Sequence, residues 1–276
     1  MAKAIISTTY SDTYLYFLPI TVFCWNKLNV DVICFMPKFI YYEKGQIGLD
    51  IARKISLVED TVMKHCSSKS NMLTYFDAPE HKEATYAQIS RLYAAALDLD
   101  EQEQLIVSDA DMVVFRTDFM QKSADDFFDV YGTDLVPDGQ LPMCYTVGNV
   151  KTWRRFFTKG RTYQECMDAE LGHEEMENMR GNLWSRDQEL LAKGVGELYF
   201  KHTRSNGQNQ FAQNRVDRTD TNWLSYVNEG LIDAHLWRDG YTDENHANIM
   251  ELMRMKFPDE DFTWLDNYRN AYKQLL

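Results

Sequence analysis

Four short apolar runs, separated by stretches of helical length and periodicity, organise the first half of the chain. Lys3 to Thr9, Val30 to Met36 and Leu105 to Val107 read as buried strands, and Met72 to Phe76 as a further strand. Between the first two, Ser11 or Asp12 caps a helix that runs to about Lys27, and Pro19 predicts a kink in it. Gly45 to His65 reads as an amphipathic helix, and Lys82 to Leu97 as a helix with an alanine-rich stripe. This strand–helix alternation predicts a Rossmann-like α/β fold, a mostly parallel central sheet with helices on both faces. Ligands of such sheets bind beyond the carboxyl ends of the strands, where Thr8, Asp77 and Asp109 fall.

The second half is less regular. Met112 to Phe115 continues extended after the fourth run. Leu141 to Val147 reads as a strand, and Lys151 to Phe157, Tyr163 to Met179 and Ser185 to Lys193 as helices. Lys201 to Trp223 is polar, rich in Asn and Gln, and reads as a loop able to serve as a lid. Leu231 to Leu236 reads as a strand returning to the sheet, and the chain from Glu244 is helical with a break at Phe257-Pro258.

Charge and composition narrow the chemistry. A formal net charge of −13 argues against a nucleic-acid backbone or an anionic membrane surface as the main partner. The five cysteines are odd in number and lack a Cys-x-x-Cys pair, so reduced thiols are expected instead of a disulfide framework or zinc site. The longest apolar run, Tyr14 to Trp25, is too short to span a membrane and is interrupted by Pro19 and Thr21. The polar stretch Ser7 to Thr13 makes a signal peptide a poor fit. A soluble cytoplasmic protein is the expectation.

The segment Leu105-Ile-Val-Ser-Asp-Ala-Asp-Met-Val-Val-Phe115 carries the main chemical signal. Two carboxylates at the end of a buried strand are costly without a positive partner. A hard divalent cation, Mn2+ or Mg2+, is a natural one, since such ions are often held by one or two carboxylates plus substrate phosphates. The plainer reading is a solvated turn after a strand.

In order as well as type, a set of motifs resembles the GT-A class of nucleotide-sugar glycosyltransferases. Ser7-Thr8-Thr9-Tyr10 stands where that class places the nucleotide base and ribose. Tyr86, Gln88 and Arg91 lie on the helix before the acid strand, as in the nucleotide-contacting helix. Ser108-Asp-Ala-Asp111 looks like the metal-binding Asp-x-Asp, Trp184-Ser-Arg-Asp-Gln-Glu-Leu-Leu191 like the Asp-Gln segment near the reacting sugar, and Ile232-Asp-Ala-His235 like the late strand carrying a metal-binding His. The resemblance implies one catalytic domain over residues 1–276, with a nucleotide-binding half (1–120) and an acceptor-binding half (121–276). It also implies a nucleoside-diphosphate sugar donor, UDP-linked, and a carbohydrate acceptor. Arg186 precedes Asp187 where a Gly is common, and Leu236-Trp-Arg-Asp-Gly240 replaces a Gly-x-x-Lys-Pro-Trp. Both departures leave inversion or retention open.

From this follow candidate roles. Asp111 is the expected metal ligand, with Asp109 on the ribose, the metal or its water. His235 is the expected late ligand, with His246 its rival and a core histidine the alternative. Asp187 is the expected base or acceptor-orienting residue, against a helix-start acid stabilised by the helix dipole. Arg91 reads as a phosphate or Asp109 partner. Thr8, Thr9, Tyr10, Asp77 and Gln88 are the remaining donor-contact candidates, and Trp153 and Trp184 could stack on a sugar or pack in the core. A nucleotidyltransferase and a non-catalytic sugar-binding module remain alternatives, the first weakened because Ser7-Thr-Thr-Tyr-Ser-Asp12 offers no Gly and no basic residue for a phosphate loop.

Overall fold

Alternation along the first strand decides the layers. In β1 (Ala2–Ser7), Ala4 and Ile6 face one core and Ile5 the other, and all three are fully buried. The protein is described by a computed structural model covering residues 2–38, 45–66, 68, 70–78, 82–118, 120, 125–132, 136, 139–171, 185–195, 203–206, 214–227 and 230–276. β1 pairs in parallel with β2 (Asp31–Pro37), which pairs in parallel with β3 (Met72–Phe76). On its other side β1 pairs in parallel with β4 (Gln104–Val107), Ile5 opposite Val107. Past β5 (Met112–Val114), the sheet continues through β6 (Phe128–Tyr131), β7 (Thr146–Asn149) and β8 (Thr203–Asn206), giving the order β3-β2-β1-β4-β7-β6-β8. β7 is antiparallel to both β4 and β6. The chain runs outward from β1 to β3 and then crosses to β4, so the topological switch point lies between β1 and β4.

Helices cover both faces, as the pattern predicts. Against the Ala4–Ile6 face pack α2 (Leu18–Lys27), preceded by the single turn α1 (Asp12–Leu15), and α3 (Gly45–His65). The other face receives α4 (Glu83–Ser90) with its 3-10 continuation Arg91–Ala96, then α5 (Val150–Trp153), α6 (Tyr163–Leu171) and α7 (Arg186–Val195). The C-terminal helices α8 (Asp243–Lys256) and α9 (Thr263–Lys273) join the first core through Ile249, Leu252, Leu265 and Tyr272. None of the helices among the described residues is long and apolar enough to cross a membrane.

Several boundaries differ from the sequence reading. The helix expected from Ser11 or Asp12 to Lys27 is interrupted at Tyr16–Phe17, and Pro19 occupies the first turn of α2, where its missing N–H costs nothing. The helix expected over Lys82 to Leu97 tightens to 3-10 geometry at Arg91. The strand expected at Leu141 to Val147 begins only at Thr146. Leu231 to Leu236 does not rejoin the central sheet. Its core, β10 (Asp233–His235), pairs antiparallel with β5 and parallel with β9 (Arg215–Val216) in a separate three-stranded sheet. The cause is local: the turn Asp109–Asp111 carries the chain out of the central sheet after β4, so β5 offers its edge elsewhere. The expected loop Lys201 to Trp223 contains β8 and β9 in its described part. Residues 172–184, including Trp184 and the last part of the helix expected to reach Met179, lie outside the described residues.

Candidate functional site

Where β1 and β4 part, the backbone opens a cavity of about 490 Å³. Thr8 N–H extends the ladder to Phe35 O at 3.0 Å and Ser108 N–H reaches Ile5 O at 2.9 Å, so the segments leaving both strands enter the cavity in fixed register. Thr8 and Thr9 are buried and line it, as do Gln88, Arg91, Asp109, Asp111, Asp187 and His235.

Arg91 organises one wall. Its side chain is 3% exposed. Its guanidinium donates to Ser108 O (2.7 Å), to Gln88 O (3.2 Å), to Asp109 and to Asp187. Asp187 is buried in the first turn of α7, where the helix dipole favours a carboxylate, and its Oδ1 accepts from Gln188 N–H at 2.9 Å. Burial pushes the Asp187 carboxyl above its ordinary value; Arg91 opposes that push and the charge of Asp109 adds to it. For Asp109, desolvation acts in the same direction, but Arg91 outweighs it and holds the carboxyl below its ordinary value. One guanidinium thus holds two acids in different states of basicity. Arg91→Met leaves both carboxylates without their counter-ion, and a loss of about 3–5 kcal/mol in unfolding free energy is expected by denaturant titration. A loss below about 1 kcal/mol would mean that water or a rearranged partner replaces Arg91 readily.

The opposite wall is built by the antiparallel pairing of β5 and β10. His235 lies opposite Met112, and Leu236 N–H donates to Asp111 O at 2.9 Å. That register brings His235 Nε2 to 3.2 Å from Asp111 Oδ2, although the two residues are 124 positions apart. Asp217 lies 3.4 Å from His235 Nδ1. Burial alone would lower the basicity of His235, but hydrogen bonds to Asp111 and Asp217 outweigh it and raise its pKa to about 9. Arg218 lies 3.2 Å from the same Asp111 oxygen and also contacts the His235 ring.

Behind this wall, Arg215 makes a bidentate pair with the fully buried Asp233 (2.7 Å for each bond), and Tyr145 donates to the same carboxylate at 2.8 Å. Arg238 stands exposed at the mouth, with Tyr14 half-buried beside it.

The donor set suits a divalent cation in part. Asp111 Oδ2 and His235 Nε2 are separated by roughly the edge of an octahedron with bonds near 2.1 Å, about 3.0 Å. Asp109 is turned toward Arg91, and among the described residues no group of three or more His, Cys, Asp or Glu side chains is gathered to hold a metal. An ion here would draw its remaining ligands from water and phosphate oxygens, the usual mode for Mg2+-like ions.

Not every candidate reaches the cavity. Tyr10 donates instead to Glu83 at 2.6 Å, at the start of α4. Asp77 ends the outermost parallel strand, two strands from the switch point, and pairs with Lys38 on the exposed surface at 3.0 Å. His246 is buried in α8, 2.8 Å from Asp266 and 3.2 Å from the Tyr16 hydroxyl, and does not line this cavity. Trp153 is core, edge-on to Phe128. The sequence reading missed Arg215, Arg218, Arg238 and Tyr14. The basic residues of the polar stretch before Trp223 were the available signal.

No protein-family model matches the chain, and no curated protein sequence does. Among solved structures, it is similar to the galactosyltransferase LgtC in complex with donor and acceptor sugar analogs (11% identity, TM-score 0.47, 97% of this chain and 100% of that one). It is similar to an active-site mutant of LgtC (12% identity, TM-score 0.48, 93% of this chain and 100% of that one). It is also similar to the glycosyltransferase GlyE of Streptococcus pneumoniae TIGR4 (11% identity, TM-score 0.48), covering 99% of this chain but only 64% of GlyE. At such scores the likeness carries no functional argument, which rests on the site.

Proposed function

We propose that this cavity binds a nucleoside-diphosphate sugar, UDP-linked, together with Mn2+ or Mg2+, and transfers the sugar to a carbohydrate hydroxyl. The observation that supports this reading is the meeting, at one switch point, of a strand-end acid (Asp111), a late histidine (His235) and a helix-start acid (Asp187) tied to the nucleotide-side helix by Arg91. A buried acid made more basic, Asp187, beside a partly exposed one held less basic, Asp109, in one cleft makes both candidates for acid–base and ligand roles.

In this reading Thr8, Thr9 and Gln88 receive the base and ribose. Asp109, held ionised by Arg91, accepts from a ribose hydroxyl or a metal-bound water. Asp111 and His235 would hold the divalent ion, which would supply positive charge to the departing diphosphate. Asp187, made more basic by burial, takes the proton of the attacking hydroxyl or fixes its direction. Arg238 at the mouth and Arg218 on the wall supply the positive charge that a diphosphate requires inside an acidic protein. A panel of UDP- and GDP-sugars incubated with Mn2+ tests this reading, with nucleoside diphosphate release from at least one donor as the expected result. Pyrophosphate release from a nucleoside triphosphate, with every sugar donor inert, would move the chain to nucleotidyl transfer.

A further inference from the structure

Three arginines stand against acids around the cavity, and they differ in what would be lost by moving away. Arg91 has four acceptors, one of them the buried Asp187. Arg215 grips Asp233, which is fully buried. Releasing either strands a buried carboxylate. Arg218 Nη1 lies 3.2 Å from the likewise buried Asp111 without a hydrogen bond to it, beside the acid a divalent ion would itself neutralise, and the guanidinium also touches the His235 ring that faces Asp111. A guanidinium and a divalent cation cannot share those atoms.

The backbone beneath Arg218 is fixed while its side chain has somewhere to go. Asp217 Oδ1 accepts from Thr219 N–H (3.0 Å) and from the Thr219 hydroxyl (2.8 Å), and Asp217 N–H donates to Asp220 at 2.8 Å, which closes a local turn. Arg218 lines the main cavity and also a second, more open one of about 550 Å³, together with Thr219, Trp237 and Asn245. Arg218 therefore borders both spaces, as His235 and Arg238 do, on a long stem attached to a hydrogen-bonded turn.

We propose that Arg218 is an internal counter-ion gate: it occupies the metal position on Asp111 and His235 in the unloaded protein, and is displaced by the divalent ion to become a ligand of the donor diphosphate. This rests on Asp111 as a metal ligand. It makes metal and nucleotide binding cooperative through one side chain. The ion alone must compete with Arg218, whereas the ion with a diphosphate gives the displaced guanidinium a new partner. Linkage requires the converse, so the nucleotide gains as much from the ion as the ion gains from the nucleotide.

The test is Mn2+ binding to the whole protein, by calorimetry or by electron paramagnetic resonance of the free ion, with and without UDP. Arg218→Gln is expected to bind Mn2+ alone more tightly than the unsubstituted protein, on the order of tenfold, the scale of losing a partly buried competing charge. UDP is expected to tighten Mn2+ binding less in that variant than in the unsubstituted protein. Unchanged or weaker Mn2+ affinity in Arg218→Gln, with Asp111→Asn still abolishing binding, overturns the gate and leaves the metal reading standing. Mn2+ binding that ignores Asp111→Asn, or no Mn2+ binding even with UDP, overturns both. If Arg218→Gln melts early, Arg218→Lys carries the test. A lysine keeps the charge but not the fork that reaches both partners. A smaller gain in Mn2+ affinity supports the gate, and equality with the unsubstituted protein overturns it.

Discussion

Replacing Asp187 by Asn is expected to slow sugar transfer by on the order of 10²–10⁴-fold while donor affinity changes little. The substitution keeps the shape of the side chain, so Arg91 retains an oxygen to bind and Asp109 retains its partner. What disappears is the ability to take a proton, together with the oxygen that accepts from Gln188 N–H, whose place the amide nitrogen takes. Asp187 suits that task because burial makes it more basic than an ordinary carboxylate, while Arg91 and Gln188 N–H fix its direction. The measurement is steady-state kinetics at saturating donor, with the dissociation constant of UDP determined alongside. Near-normal turnover would reduce Asp187 to a helix-start acid that serves only to anchor Arg91.

Asp111→Asn is expected to act at a different step. It should remove the Mn2+ dependence of UDP binding and lower apparent metal affinity by at least the ~10–100-fold that even an outer partner of a metal ligand is worth. The fold should survive, because Leu236 bonds to the Asp111 backbone oxygen and not to its side chain. His235→Ala should shift the Mn2+ requirement in the same direction. His246→Ala should leave it unchanged, since His246 is engaged with Asp266 and Tyr16 away from the cavity. An Asp111→Asn protein with full activity and an unaltered metal response would make the pair Asp109 and Asp111 a structural turn.

The parallel half of the fold was open to sequence reasoning because burial on both faces leaves a plain mark in β1, β2 and β4, while β3 is a partly exposed edge strand. β1 to β4 are apolar runs, and the bounds of α3 and β3 coincide with the periodicity. The break at Tyr16–Phe17 left no such mark, since apolar residues continue through it. β6 was hidden because it is short and contains Asp129, which is buried there. The small sheet was not readable either: its strands are two or three residues long, and their pairing depends on contacts across the whole chain.

The site divides in the same way. Strand-end reasoning led to Thr8, Asp109 and Asp111, and it failed for Asp77. The rule selects the switch point between β1 and β4, not every strand end. Tyr10 has the right chain position, but its side chain turns to Glu83. The polar stretch before Trp223 shows Arg215 and Arg218 as basic residues but could not place them in the site, because a charged residue in such a stretch has no periodicity to orient it. Only the folded register shows that Arg218 stands on the candidate metal ligands.

Calorimetric titration of UDP into the protein, once with Mn2+ and once with EDTA, tests the central claim most directly. Binding with Mn2+ and its loss, or a large weakening, in EDTA is the expected result, because the ion that Asp111 and His235 would hold is the group that bridges this wall to the diphosphate. Equal UDP affinity in both buffers, or no binding in either, would contradict it.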